Sequence, residues 1–442
     1  MIGFLKWGFT LMIAVSIVAP MAAHAELDAN EEGVVSVSAK RIPRKAFQKP
    51  FPHENVSKAL SAKLGSKKRK PFGLETIIVF YGDYRKDVPS QNFVPSGLTW
   101  YHLLKTTVDK GSDKIANHTG PAFSIDEFGF DFGGGIDRRT GELLRAAKKK
   151  NPDVKIAVWQ MRGPVGPELA DAYRDTVELV MMESYASLDD PWVIPAQLMS
   201  ARLNGLVDRT IIGLGLGAES EQWGGHYWTR SREELEQQVR LMRYVAPESP
   251  GVAFFGQEAH YARGKPGVTI TLKDVEDVVS KFREYPTDGT GIKPEILAVA
   301  KQFTKRYKNP AIACSPSWVQ PNYSAGKLGD GGEWIEFGPG STFGPPKDPS
   351  IAFIKPITFR AFIMNLGDKD AKNVRFRLKN PGPDGDVFAD GIIDVISARS
   401  ASVALMPLIQ GKTWTAWTGR WELLVDAPDC TVLNYNYKRL GK

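Results

Sequence analysis

The chain has 442 residues, 42% of them apolar, an ordinary share for a folded protein and enough for a sizeable core in two or three domains. Its formal charge of +7 is local, because Ser38 to Lys70 holds eleven Lys/Arg against the single acid Glu54 and the rest is slightly acidic. That excludes a basic nucleic-acid-binding body, and two cysteines without CxxC or HExxH exclude the common zinc-site patterns.

Lys6 and the apolar run Gly8 to Ala19, followed by Ala23-His24-Ala25, form an export signal cleaved after Ala25. The run is shorter than the roughly 20 residues that span a bilayer, and no later segment spans either. The basic residues 38–70, with Pro43, Pro50 and Pro52, read as an extended, poorly ordered arm suited to anionic surfaces rather than nucleic acid. Residues 1–25 are thus a signal and 26–70 an arm, with a body at 71–310 and an all-β domain at 311–442.

From Pro71 short apolar strands alternate with helices. Strands are expected at Glu75–Tyr81, Pro121–Ile125, Lys155–Trp159, Glu178–Met182, Thr210–Leu216 and Gly251–Phe255. Helices fall at Thr140–Lys150, from Pro167, from Ser231 to Val245 behind a Ser231/Glu234 capping box, at Leu272–Tyr285 and at Pro294–Tyr307. Continuous apolar strands indicate a parallel sheet covered on both faces. The turn Gly82-Asp83-Tyr84-Arg85 lacks the dinucleotide fingerprint, and Gly213-x-Gly215-x-Gly217 reads as close packing. The expected fold is α/β, a (β/α)8-like barrel, complete or not, with Leu98–Lys105 and Val268–Thr271 as places for further strands.

Sites in such folds lie at the carboxyl ends of the strands. Those ends carry Asp83, Asp126 with Glu127, Gln160, Glu183, Glu219 and Glu258, so acids recur at five of six. Converging carboxylates raise one another's pKa, a cost that glycoside hydrolysis turns to use as an acid and a base or nucleophile. Glu127 and Glu183 are the expected catalytic pair. Adjacent strand residues point oppositely, so Asp126 and Glu127 share one target only if the chain bends there. Asp83, Asp126, Gln160 and Glu258 are candidates for binding sugar hydroxyls. Trp159, Tyr185, Trp223, His226 and Trp228 offer rings or polar edges to a sugar. No GxSxG occurs, no metal or cofactor is expected, and the alternative is a non-catalytic glycan- or surface-binding protein on a degenerate barrel.

Around SIDEFGFD (Ser124 to Asp131) and VMMESY (Val180 to Tyr185) the body resembles barrel glycoside hydrolases, which implies a carbohydrate substrate. The chitinase-type DxxDxDxE run is not reproduced.

After about Ala311 helical periodicity ends, and strands follow at Ile357–Ile363, Val374–Leu378, Val403–Pro407 and Trp421–Val425. Export makes one Cys314–Cys430 disulfide the simplest expectation. Asn365-Leu366-Gly367-Asp368 with the strand after it resembles adhesion-type immunoglobulin-like modules. That resemblance implies a spacer or binding unit, with the two cysteines on neighbouring first and last strands.

Overall fold

The computed structural model describes residues 27–29, 35–37, 77–81, 99–102, 108–119, 123–128, 136–160, 164–218, 227–255, 266–322, 326–328, 334–336, 351–352, 358–410, 412 and 421–435. Among the described residues the central region is a sheet of seven parallel strands: β1 (Ile77–Tyr81), β2 (Thr99–His102), β3 (Phe123–Phe128), β4 (Ile156–Gln160), β5 (Leu179–Ser184), β6 (Thr210–Gly215) and β7 (Gly251–Phe255). Helices α1 (Val108–Ala116), α2 (Ile136–Lys150), α3 (Pro167–Thr176), α4 (Val193–Leu203) and α5 (Arg232–Val245) alternate with β2 to β7, and α6 (Leu272–Val279) and α7 (Pro294–Thr304) follow. The order across the sheet is β1-β7-β6-β5-β4-β3-β2. Each strand from β2 to β7 lies beside the next, and the first lies beside the last. A doubly wound sheet would put its first strand in the middle; winding in one direction gives this order.

Of the two segments expected to carry further strands, residues 98–105 contain β2. Residues 268–271 stay outside the sheet, where Thr269 N and Ile270 N donate to Arg230 O at 2.7 and 2.9 Å. The helix expected to run to Tyr285 stops at Val279, and a single 3-10 turn, Phe282–Glu284, follows.

Alternation along each strand sorts the residues by face. Ile156, Val158, Val180, Met182, Ile212, Leu214, Val252 and Phe254 pack with the helices in one core. Their neighbours Trp159, Met181, Ile211, Ala253 and Phe255 are buried on the other face. Both faces are therefore dry, which is why the strands read as unbroken apolar runs.

The all-β domain starts at β8 (Ala311–Cys314) and β9 (Val319–Asn322), both pairing with β10 (Thr358–Asn365). Strand β13 (Ser400–Pro407) pairs with the other side of β10, and β15 (Thr431–Asn434) runs parallel to β8. A second sheet joins β12 (Val387–Ile396), β11 (Ala371–Lys379) and β14 (Glu422–Asp426). Ile312, Cys314, Phe359, Ala361 and Ile363 of the first sheet share a core with Val374, Phe376, Phe388 and Leu423 of the second. The turn after β10 is fixed by Asn365, whose Oδ1 accepts from Ala311 N and Gly367 N at 3.2 and 3.0 Å. Its Nδ2 donates to Lys369 O, Ile396 O and Ser397 O.

The first sheet also has a second buried face. Ala311, Ala313, Phe362, Met364 and Leu366 pack on Trp192, Val193, Ala196 and Met199 of the α4 region and on Phe303 of α7. Tyr435 stacks on Phe303 and Trp192 with ring centroids 4.9 and 5.6 Å apart, and its Oη donates to Gln302 Oε1 at 2.7 Å. Helix α4 lies between the parallel sheet and this second layer, so all residues from Val193 to Ala201 are buried. Its sequence carries no polar stripe, and nothing in the periodicity marks it as a helix.

The expected disulfide is not present: both cysteines are free. Their strands do pair, but β8 and β15 run parallel with Cys314 opposite Asn434, while Cys430 lies next to Thr431, the partner of Ala311. Four residues along a strand are about 13 Å, beyond the roughly 7 Å that a disulfide bridges between Cα atoms. Burial pushes the Cys314 thiol up to about 12. In the segment expected to be an arm, Leu27–Ala29 and Val35–Val37 pair as two short antiparallel strands. The basic residues 38–70 and residues 1–25, where an export signal is expected, lie outside the described residues. No described helix is long and apolar enough to cross a membrane.

Candidate active site

Strand β5 carries the best-defined acid. Glu183 follows Met181 by two residues, so it shares the face turned away from the helices, and its register partner is Gly213 on β6. It is 9% exposed. Its carbonyl accepts from Gln197 Nε2 of α4 at 2.6 Å, which ties the strand end to the helix packed behind it.

Four rings gather beside it. Trp159 Nε1 donates to Tyr185 Oη at 3.1 Å, and Tyr185 stacks on Phe255 with centroids 4.9 Å apart and leans on Trp228 at 5.2 Å. Two glycines make the room. A Cβ on Gly213 would meet Trp159 Cη2 at 2.9 Å, and one on Gly215 would meet Trp228 Cδ2 at 2.5 Å. The glycine alternation is thus close packing, with a tryptophan against each of the two β6 glycines. Trp159 is 2% and Trp228 3% exposed, so both rings are engaged in packing.

The loop after Glu183 is clasped by the start of α5. Ser231 caps the helix, its Oγ accepting from Glu234 N at 3.2 Å. The Glu234 carboxylate accepts from Leu188 N and Arg230 N, both at 2.7 Å, while Arg230 Nη2 reaches Asp189 Oδ1 at 3.2 Å. Burial works against the Arg230 charge, but Glu234 and Asp189 outweigh it and hold the guanidinium above its ordinary value. Gln238 Nε2 donates to Ala186 O at 3.3 Å, and its Oε1 accepts from Thr229 Oγ1 at 2.8 Å. The capping box was visible in the sequence. Its reach to Leu188, 46 residues away, was not.

Strand β3 contributes a backbone irregularity. Phe123, Ser124 and Ile125 pair in step with Ile156, Ala157 and Val158, but the next partners are Phe128 and Gln160. One extra residue is accommodated at Asp126-Glu127, a bulge, and bulges re-aim side chains at strand ends. The shift in register therefore falls on the two acids themselves. Gln160, expected at the site, lies on the helix side, where its Oε1 accepts from Tyr173 Oη of α3 at 2.6 Å. Asp83, Trp223, His226 and Glu258 lie outside the described residues, as do the side chains of Asp126 and Glu127. Among the described residues no group of three His, Cys, Asp or Glu could hold a metal ion.

No protein-family model matches the chain, and no curated protein sequence matches it. Among solved structures it is similar to an endo-β-N-acetylglucosaminidase from Cordyceps militaris, at 12% identity over 52% of this chain and 95% of that one, TM-score 0.35. A chitinase from Bacillus thuringiensis matches at 10% identity over 74% and 75%, TM-score 0.27. The carboxyl transferase domain of Rhizobium etli pyruvate carboxylase matches at 10% over 47% and 40%, TM-score 0.24. Scores this low do not establish a shared fold.

Proposed function

We propose that the chain is an exported glycoside hydrolase that cleaves a poly- or oligosaccharide with Glu127 and Glu183. The observation that carries this reading is the register of the sheet. Phe128, Gln160 and Met182 are level across β3, β4 and β5, which puts the backbones of Glu127 and Glu183 within about two residues of the same height. Two strand spacings, about 10 Å, separate them laterally. Glycosidase carboxyl pairs stand roughly 5–10 Å apart, within reach of two glutamates on such backbones. The β3 bulge falls at one of the two acids, and the Glu234 clasp fixes the loop behind the other.

In this reading β1 and β2 close a seven-stranded barrel, and the C-terminal domain is an immunoglobulin-like sandwich. Asp83, Asp126, Tyr185, Trp223 and His226 line the sugar path, and residues 38–70 contact anionic surfaces. The test is hydrolysis of a panel of polysaccharides by the mature protein beside E127Q and E183Q. Activity on one glycan class, lost in both folded variants, is the expected result. Activity that survives either substitution, or no hydrolysis of any glycan, sinks the proposal.

A further inference from the structure

Glu183 is held from behind by a residue that the proposed chemistry does not use. Gln197, on α4, is 2% exposed, and its Nε2 donates to Glu183 O at 2.6 Å. Its Oε1 meets no donor. A buried amide loses free energy for each polar atom left unpaired, so an apolar side chain would fill this place at lower cost. Among the described residues the one bond this side chain makes is to the backbone of the strand-end acid.

That carbonyl lies where one side of the sheet gives out. Met182 O faces β6, 3.5 Å from where a Cβ on Gly213 would stand. Carbonyls alternate in direction along a strand, so Glu183 O turns toward β4. Among the described residues the ladder with β4 ends one step earlier, at the Gln160–Met182 pair. Gln197 thus adds a hold on the Glu183 peptide from outside the sheet.

The helix that carries Gln197 is positioned from its far side. Ala196, next to Gln197, packs with Trp192, Val193 and Met199 on Phe362 and Met364 of the C-terminal domain, while Leu198 joins the core of the parallel sheet. Ile363 and Met364 are both fully buried on β10 but face opposite ways, Ile363 into the sandwich and Met364 onto α4. Close-packed interiors transmit displacement, so a shift of the sandwich moves α4, and α4 moves the Glu183 peptide.

We propose that Gln197 is a positioning residue for Glu183, and that the C-terminal domain sets the geometry of the β5 end through it. The consequence for catalysis rests on the hydrolase reading; the mechanical coupling does not. A reacting group misplaced by about 1 Å can cost 10²-fold in rate, so a loosened carboxyl should lower turnover more than binding.

The experiment is hydrogen–deuterium exchange of the full chain, read over Leu179–Ser184 with Gly251–Phe255 as internal reference, in wild type, Q197M, M364V and I363V. Loss of one hydrogen bond should speed exchange at the β5 end about five-fold in Q197M, with the reference unchanged. M364V should act in the same direction and I363V should not. On whichever glycan the wild type hydrolyses, Q197M should lower kcat about ten-fold and leave KM within about two-fold. Exchange that rises equally in both strands of Q197M marks lost stability alone and overturns the proposal. So does an unchanged kcat in Q197M, or equal β5 exchange in M364V and I363V. A wild type that hydrolyses no glycan sinks the hydrolase reading, and the exchange comparison still decides the coupling.

Discussion

Replacing Gly215 with alanine puts a methyl carbon 2.5 Å from Trp228 Cδ2, 2.7 Å from Cε3 and 2.8 Å from Cγ. Carbon atoms sit at about 3.5–4.0 Å, so the ring must retreat by roughly 1 Å. It has nowhere to go, being buried between the strand, Tyr185 and Phe255. Overpacking of this kind costs about 1–3 kcal/mol, against a gain of about 0.5–1 kcal/mol from removing a glycine from a strand. A net loss of about 1–2 kcal/mol is expected in urea unfolding, with a change in near-ultraviolet circular dichroism as the ring cluster shifts. The same substitution in a W228L background meets no ring, so there it should be neutral or slightly stabilising. An equal loss in both backgrounds, or no loss in wild type, would refute the close-packing account of β6.

Removing the clasp in E234A leaves Leu188 N and Arg230 N without their acceptor and should cost about 2–4 kcal/mol, measured by the same unfolding. Free thiols predict that a reductant leaves Tm unchanged, and that native protein reacts with a thiol reagent at Cys430 well before the buried Cys314; a reductant-induced drop in Tm would restore the disulfide. Burial raises Tyr435 well above its ordinary value of 10.0. Unfolded tyrosine then loses its proton first as pH rises, so stability is intact below about pH 10 and declines above it. The decline should be shallower in Y435F, and identical slopes would remove Tyr435 from the account.

Strands β4 to β7 were legible because a strand dry on both faces leaves a short apolar run between turns. Gly251–Phe255 was located to the residue. Helix α4 was not legible, since its polar face had been removed by the layer lying on it. Glu183 was readable near the end of β5, but the β3 bulge depends on register with β4, which local spacing does not encode. Gln160 shows the same limit from the other side: its place at a strand end was readable, while its partner, Tyr173 of the following helix, was not. For the cysteines the neighbouring strands were anticipated, and the four-residue offset between them was not.

Helix α4 has a roof on each side, and this bears on how the molecule comes apart. Ending the chain before Ala311 would bare Trp192, Val193, Ala196, Met199 and Phe303 together, an oily scar in the middle of the parallel half. The sandwich is therefore no detachable cassette hung on a tether. Both halves should melt in a single calorimetric peak, and neither is exchangeable for a foreign module without recutting the seam.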